Sequence, residues 1–424
     1  MTVKQRSRSS AGAGERADLG TFAHGPGAVD YERRVDAAAV REGRVARVLE
    51  AMGAAGCDGL LVWKDENVRC VSGLRAQIIQ GKSALLNGCL LRADGAMTLL
   101  LSGGEVDRVR ATMPWVDDVA AIPIMEARGL IRGAFETAIV PALRRLGLDG
   151  ARLGVDELAF AQVEAFAELA PGVTLADGDA VMQAARLVKE PGEIALMQEA
   201  CAIGEAVTEA AIAAVRPGVR EVEVAAEAMR ALYRLGGEMA HVATPFVASG
   251  EHMSPPNRFA SDKLIREGDL VFIDIGAMWN GYYADIGRTV ICGRPSRRQQ
   301  EVYTAVQAAL EAAVGAMRAG ATNDDVAAAV RAEGEARGFG GRFLSLFIGH
   351  GIGMGANEPP YVGEALAGAE TVALRQGMTM AIEPLIWVPG VPGGGGVRLE
   401  DTIAVGADGG LRLTRTGWDE RLLV

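Results

Sequence analysis

Histidine is scarce in this 424-residue chain, which holds four: His24, His241, His252 and His350. A metal centre built from so few imidazoles must draw mostly on carboxylates. The five cysteines (Cys57, Cys70, Cys89, Cys201, Cys292) are odd in number and scattered, with no metal-type or disulfide-framework spacing. No apolar run approaches the roughly 18 residues that span a bilayer. The first 20 residues, "MTVKQRSRSSAGAGERADLG", lack the apolar middle of a secretory signal. Residues 1–30 therefore read as an extended or disordered tail, and the cysteine pattern as that of a reducing cytoplasm. Basic charge is also short, with 43 Lys and Arg against 54 Asp and Glu and a net charge of −11. That balance argues against nucleic acid and anionic membranes as general partners.

What is present is an ordinary globular composition, 49% hydrophobic and 23% charged, in a chain long enough for two domains. From about Tyr31 a helical pattern runs to Gly53, then comes an apolar strand, "GLLVW". "GCLLRADGAMTLLL" reads as a hairpin turning at Asp94–Gly95. Strand "VAAIPI", a helix over Gly133–Arg145 and strand "RLGVD" follow, so residues 31–178 read as an α/β domain. "RAQIIQGKSALLNG" within it reads as a loop and helix, and "LSGGEVDR" lacks the spacing and lysine of a phosphate loop. Residues 179–424 form the second domain. It contains a helix opened by Pro191, with Leu196, Ala200, Ile203 and Val207 on one face. A second helix spans Glu221–Leu235 and strands follow; helix, helix, strands then recur from Arg297.

The stretch "DIGAMWNGYYAD" begins and ends on aspartate, with Asn280–Gly281 between. Asn-Gly between strands favours a two-residue type I′ turn. Trp279 then faces Tyr282, Asp274 faces Gly287, and Gly276 faces Asp285. Asp274 and Asp285 become same-face diagonal neighbours, roughly 7–8 Å apart along the backbone. Gly276 is expected to leave open space opposite Asp285. The preceding "LVFID" is apolar on both faces, which argues for burial. Two buried like charges need a raised pKa, a nearby cationic side chain such as Arg288, or a cation between them.

Further acids stand on neighbouring segments. "MTMAIEPLIW" is apolar except for Glu383, and "GVRLEDTIAV" carries Glu400; the glycine-rich "PGVPGGGG" joins them as a second hairpin. Alternation puts Arg398, Glu400 and Thr402 on one face, with Leu399 and Ile403 on the other. "GHGIGMGANEPP" lies between the two hairpins, its glycines bringing backbone close to whatever His350 contacts. One imidazole and four carboxylates suit a pair of divalent ions.

With "RLVKEPGEI", "EGDLVFIDIG", "DIGRT", "GHGIG" and "AIEP", the region of about Ala184–Val405 resembles the pita-bread metallopeptidases. That family includes methionine aminopeptidase, aminopeptidase P and prolidase, with creatinase as a metal-free relative. The extra first domain resembles that of the aminopeptidase P, prolidase and creatinase branch. The implied fold is a creatinase-like α/β domain followed by a pita-bread domain, a curved antiparallel sheet with helices on its outer face. The implied ligands are Asp274, Asp285, His350, Glu383 and Glu400, holding two divalent ions, manganese first among Mn, Co, Fe and Zn. Asp285 and Glu400 would bridge, Asp274 would hold one ion, and His350 with Glu383 the other. Glu383 would accept the proton of the attacking water, and Arg398 and Thr289 would orient a ligand carboxylate. The implied enzyme is a cytoplasmic homodimer cleaving a small peptide or amide, of the Xaa-Pro dipeptidase or aminopeptidase P type. Three auxiliary histidines of those peptidases are replaced here by Asn257, Leu346 and Asn357. His241 and His252 stand in the segment that lines the pocket and are expected, with Asn257 and Asn357, to meet substrate. The altered substrate shell keeps three other readings open: a dimethylsulfoniopropionate-type lyase, a creatinase-like C–N hydrolase, and a non-catalytic binding protein. The lyase carries a second aspartate two residues after the first ligand, where this chain has Gly276.

Overall fold

Asp36 caps the first described helix by accepting from the backbone N–H groups of Ala38 and Ala39. A computed structural model describes residues 35–76, 86–242, 245–253, 257, 259–342, 348–363 and 370–424. The expected tail, Leu346 and most of "RAQIIQGKSALLNG" lie outside these residues.

The first domain alternates helix and strand around one six-stranded mixed sheet. Its elements are α1 (Ala37–Ala55), β1 (Gly59–Val62), α2 (Asp65–Ser72), β2 (Asn87–Arg92), β3 (Met97–Ser102), α3 (Val106–Thr112) and β4 (Asp118–Ile122). After these come α4, which runs Arg128–Ala134, through a π turn at Phe135–Ile139, to Val140–Arg145, then β5 (Arg152–Val155), α5 (Phe160–Leu169) and β6 (Thr174–Asp177). The strand order is β4-β3-β2-β1-β5-β6. Gly95, at φ +90°, closes the β2–β3 hairpin as its Asp-Gly pair requires. Helix α6 (Gly178–Arg186) packs back on α1 and β5 of this domain.

The second domain opens with α7 (Pro191–Ala214) and α8 (Glu221–Arg234), followed by β7 (Phe246–Ser249), β8 (Leu270–Asp274), β9 (Ala277–Trp279), β10 (Tyr282–Ala284) and β11 (Gly287–Ile291). The order then recurs: α9 (Arg297–Ala316), α10 (Asn323–Ala336), β12 (Gly349–Gly351), β13 (Glu358–Val362), β14 (Thr379–Ile382), β15 (Leu385–Trp387), β16 (Gly396–Arg398), β17 (Asp401–Val405) and β18 (Gly410–Arg412). Every strand pairing described in this half is antiparallel. Helix α7 lies against β9 and β10, and α9 against β15 and β16. Each repeat thus carries one long hairpin under its own helix pair.

The Asn-Gly register holds. Asn280 and Gly281 both take positive φ, 48° and 80°, as a type I′ turn demands. Trp279 pairs with Tyr282, and Asp274 with Gly287. The hairpin is nevertheless broken in two, with β9–β10 and β8–β11 in separate sheets around Ile275–Gly276 and Asp285–Ile286. The second hairpin breaks likewise, β15–β16 parting from β14–β17 at Glu383 and Glu400. The two hairpins meet where the Glu400 N–H donates to the Gly287 carbonyl at 2.9 Å.

The domains share one apolar core. Val48, Met52 and Cys70 from the first domain cluster with Leu196, Met197, Trp279, Tyr282 and Met354 from the second. Beside this core sits a buried charge cluster. Lys189 Nζ lies 2.6 Å from Glu358 Oε1 and Arg186 Nε 3.2 Å from Glu358 Oε2, while Arg186 also bonds Asn67 of α2. Burial alone would raise the Glu358 carboxyl, but Lys189 and Arg186 hold it below its ordinary value. Its contribution is therefore present at neutral pH and is lost only as acid protonates it, below about pH 4. Glu358→Gln strands two buried cations and is expected to cost about 3–5 kcal/mol at pH 7. Denaturant unfolding of both proteins at pH 7 and about pH 3.5 should show that gap narrowing in acid.

Candidate metal centre

Four carboxylates and two imidazoles converge at the two hairpin breaks. Asp274 ends β8, Asp285 follows β10, Glu383 follows β14 and Glu400 precedes β17, all buried. A strand break frees a residue from the strict up-and-down alternation of the pleat, so the four side chains can aim at one point. His350 is the middle residue of β12, whose neighbour β14 leads directly to Glu383. Ligating atoms fall into three sets, each within 4.8 Å: Asp274, Asp285 and Glu400; His350, Glu383 and Glu400; and His241, Asp285 and His350.

Arg398 is the guanidinium that faces this charge among the described contacts, beside the imidazoles of His241 and His350. Arg398 places one guanidinium nitrogen 3.0 Å from Asp274 Oδ2 and 2.9 Å from Glu383 Oε2. The expectation that it shares a face with Glu400 holds, and Thr402 completes that face. The Thr402 hydroxyl donates to the Asp285 carbonyl at 2.9 Å and accepts from the Asp285 N–H at 3.0 Å. Leu399 and Ile403 point into the apolar core behind. Arg288, the alternative partner for an aspartate, instead pairs with Asp401 at 2.8 Å.

The electrostatics leave the cluster short of positive charge. Burial, then the Asp285 charge, push the Asp274 carboxyl well above the carboxylate range against the pull of Arg398. Burial, then Asp285 and Asp274, do the same to Glu400. Burial also works to raise Asp285, but His241, His350 and Arg398 keep it below its ordinary value. Both Glu400 carboxylate oxygens, Asp274 Oδ1 and Asp285 Oδ1 are buried without a hydrogen-bond partner. Acceptor-only groups left bare in a dry site fit divalent cations. His350 fits the same need. Its Nδ1 lies 2.8 Å from the Gly351 carbonyl, which can only accept, so Nδ1 carries the proton. Nε2 faces Asp285 Oδ2 and Glu383 Oε1, each at 3.6 Å. Burial works to lower the imidazole, but these two carboxylates raise it above its ordinary value, and once it gives up that proton Nε2 offers a lone pair to an ion.

Other expected residues fall in varied places. The space opposite Asp285 is closed: a Cβ on Gly276 would lie 2.1 Å from the Ala284 carbonyl oxygen and 2.8 Å from His241 Cβ. Gly276 is thus a close-approach glycine, and His241 takes the position expected to be empty. His241 Nδ1 stands 3.1 Å from Asp285 Oδ2. Thr289 does not reach outward to a ligand; its hydroxyl donates to the Arg398 carbonyl and accepts from the Arg398 N–H, fixing the arginine backbone. His252 faces Glu221, with Nδ1 3.2 Å from Oε1, in a cluster with Ser249 and Ser261. Asn257 donates its N–H to the His252 carbonyl. Asn357 is exposed at the rim of a 380 Å³ cavity between the domains. Asp65, Glu66 and Arg69 line that cavity from the first domain, and Met278 and Tyr283 from the second. The Tyr283 ring meets His241 edge-on at 5.9 Å, so one wall of the cavity rests on the imidazole beside Asp285. Sequence reasoning misses Tyr283 and the backbone clamp of Thr402 on Asp285.

Comparison with known proteins agrees with this geometry. Residues 195–407 match the model of metallopeptidase family M24, and residues 44–188 that of the creatinase/prolidase N-terminal domain. A Xaa-Pro dipeptidase of Pyrococcus horikoshii is 31% identical over 373 residues, 88% of this chain and 97% of that protein. One from Pyrococcus furiosus is 36% identical over 271 residues, 64% of this chain and 74% of its own. Among solved structures, a Xaa-Pro dipeptidase from Bacillus anthracis superposes with TM-score 0.75 at 27% identity, covering 89% of this chain and 98% of that one. Fold and site together define a two-domain metallopeptidase of creatinase-like and pita-bread halves. The chain belongs to metallopeptidase family M24, in its prolidase and aminopeptidase P branch. It is a peptidase of a family that uses divalent metal ions.

Glu400→Gln removes one of the buried like charges and halves the bare oxygens at that position. The metal-free variant is expected to be at least as stable as the metal-free wild type. Wild type should gain about 2.7 kcal/mol when Mn or Co reaches about 100 times its Kd, and the variant much less at the same concentration. Thermal unfolding with and without the ion checks both parts.

Proposed function

We propose that the chain is a dinuclear-metal dipeptidase that hydrolyses the amide bond before proline in small peptides, with manganese as its working ion. The observation that carries this reading is the set of buried carboxylate oxygens without partners, gathered within reach of an imidazole lone pair. Asp274 would hold one ion, His350 and Glu383 the other, and Asp285 and Glu400 both. Two such ions supply a water of lowered pKa and polarise the scissile carbonyl.

The chain's own residues do the rest. Arg398 grips Asp274 and Glu383 together and leaves Glu383 its second oxygen for the proton of the attacking water. Thr289 holds the Arg398 backbone and Thr402 that of Asp285, so neither pivots as charge moves. Glu383 then passes the proton to the leaving proline nitrogen. The interdomain cavity, at 380 Å³, has the scale of a dipeptide rather than a long chain. Asn357 at its rim offers amide donors that carry no charge, so hydrogen bonding there is neutral. The identity of the Pyrococcus and Bacillus relatives as Xaa-Pro dipeptidases supports proline as the leaving residue. The lyase reading is disfavoured because position 276 has no room for the second aspartate.

Protein stripped of metal and reloaded with Mn or Co is expected to cleave Ala-Pro and other Xaa-Pro dipeptides. Glu383→Gln should lower kcat by about 10²–10⁴. Absence of turnover on every Xaa-Pro dipeptide and tripeptide by metal-loaded wild type would remove the proposal.

A further inference from the structure

His241 reaches the centre by a route independent of the four acids and the imidazole of His350. Residues 238–241 run antiparallel to the end of β9: the Glu238 N–H donates to the Met278 carbonyl, and the Met278 N–H to the Met239 carbonyl. This edge pairing delivers His241 beside Gly276, whose missing side chain makes the room. The imidazole is nearly buried, with 8% of its side chain exposed. Its ring stacks on that of His350, the planes 6° apart and the centroids at 6.0 Å.

The two nitrogens of His241 have different neighbours. Nε2 lies 3.3 Å from the Ala356 carbonyl oxygen, an acceptor only, so Nε2 carries the proton. Nδ1 is then a bare lone pair, buried and without a hydrogen-bond partner, 3.1 Å from the Asp285 carboxylate. In the neutral ring those two lone pairs repel at that distance, and the contact closes only with a proton or a metal cation between them, the second being what the buried acid cluster calls for. His350 shows a parallel arrangement, with a carbonyl at its far nitrogen and its near nitrogen 3.6 Å from the same Asp285 oxygen. A carbonyl on the outer nitrogen is the usual device that fixes a metal-ligating imidazole. Ligand atoms about 2.1 Å from one ion stand roughly 3.0–3.4 Å apart at right-angled or tetrahedral positions. The separations from Asp285 lie close to that range.

We infer that His241 is a metal ligand in this chain, joining His350 and Asp285 on one ion, while Asp274, Asp285 and Glu400 hold the other through oxygen alone. This rests on the two-ion reading above and deepens it. The ions become unequal: the two-imidazole site favours borderline metals such as Co, Fe or Zn, and the all-oxygen site tolerates Mn.

The test is binding, not turnover. Wild type and His241→Ala are titrated with Co(II) by calorimetry and visible absorption. The expected result is two sites in wild type, with the tighter one weakened by at least about tenfold in the variant and its absorption band changed. Added imidazole should restore that band. A crystal structure of Co-loaded wild type, which needs no variant to fold, should place Nδ1 of His241 about 2.0–2.3 Å from an ion. Unchanged affinities and spectrum in His241→Ala, or an ion with His241 turned away, overturns the inference and leaves the two-ion reading intact. Wild type that takes up no Co(II) overturns both.

Discussion

Four buried carboxylates around one guanidinium set the terms for the catalytic half. Asp274, Asp285, Glu383 and Glu400 bring more negative charge than Arg398 balances, and burial raises the cost of every uncompensated charge. The surrounding structure answers in two ways. It directs hydrogen bonds to the backbone rather than to the carboxylate oxygens, as with Thr402 at Asp285 and Thr289 at Arg398. It also keeps Arg288, the other buried arginine nearby, occupied with Asp401 and the Glu400 and Thr416 carbonyls. Both Glu400 oxygens and one each of Asp274 and Asp285 stay bare, so the site is organised for cations beyond those its own side chains supply.

The two hairpins solve the positioning problem by the same means. Each is interrupted between its long inner pair of strands and its short outer pair, and each interruption presents two acids. Helix α7 backs the first hairpin and α9 the second. The join between them is a backbone hydrogen bond from Glu400 to Gly287, where a Cβ on the glycine would meet the Glu400 carboxylate at 2.9 Å. That close approach keeps the acids of the two hairpins side by side.

Much of this is legible in the order of residues. The Asn280–Gly281 turn sets the register that puts Asp274 opposite Gly287, and alternation along "GVRLEDTIAV" separates Arg398, Glu400 and Thr402 from Leu399 and Ile403. Local rules reach that far because turns and pleats are local. They do not reveal the strand breaks, since a break depends on which sheet each half joins. Nor do they place His241, which depends on pairing with Gly276 and Met278, far along the chain. The clamp of Lys189 and Arg186 on Glu358 is equally hidden, because the charges lie far apart in the sequence and meet only at the domain junction.

The shared apolar core has a consequence for anyone dissecting this enzyme. The tip of the first hairpin is seated in the creatinase-like half: a Cβ at Gly281 would strike the Arg69 side chain, and the Tyr282 hydroxyl lies between Arg44 and Glu193. Excising residues 195–407 as a minimal catalytic fragment would bare Trp279, Tyr282 and Met354 to water and strip the strand tip of its footing. The two halves share a buried apolar face, and a chain cut between them would expose it.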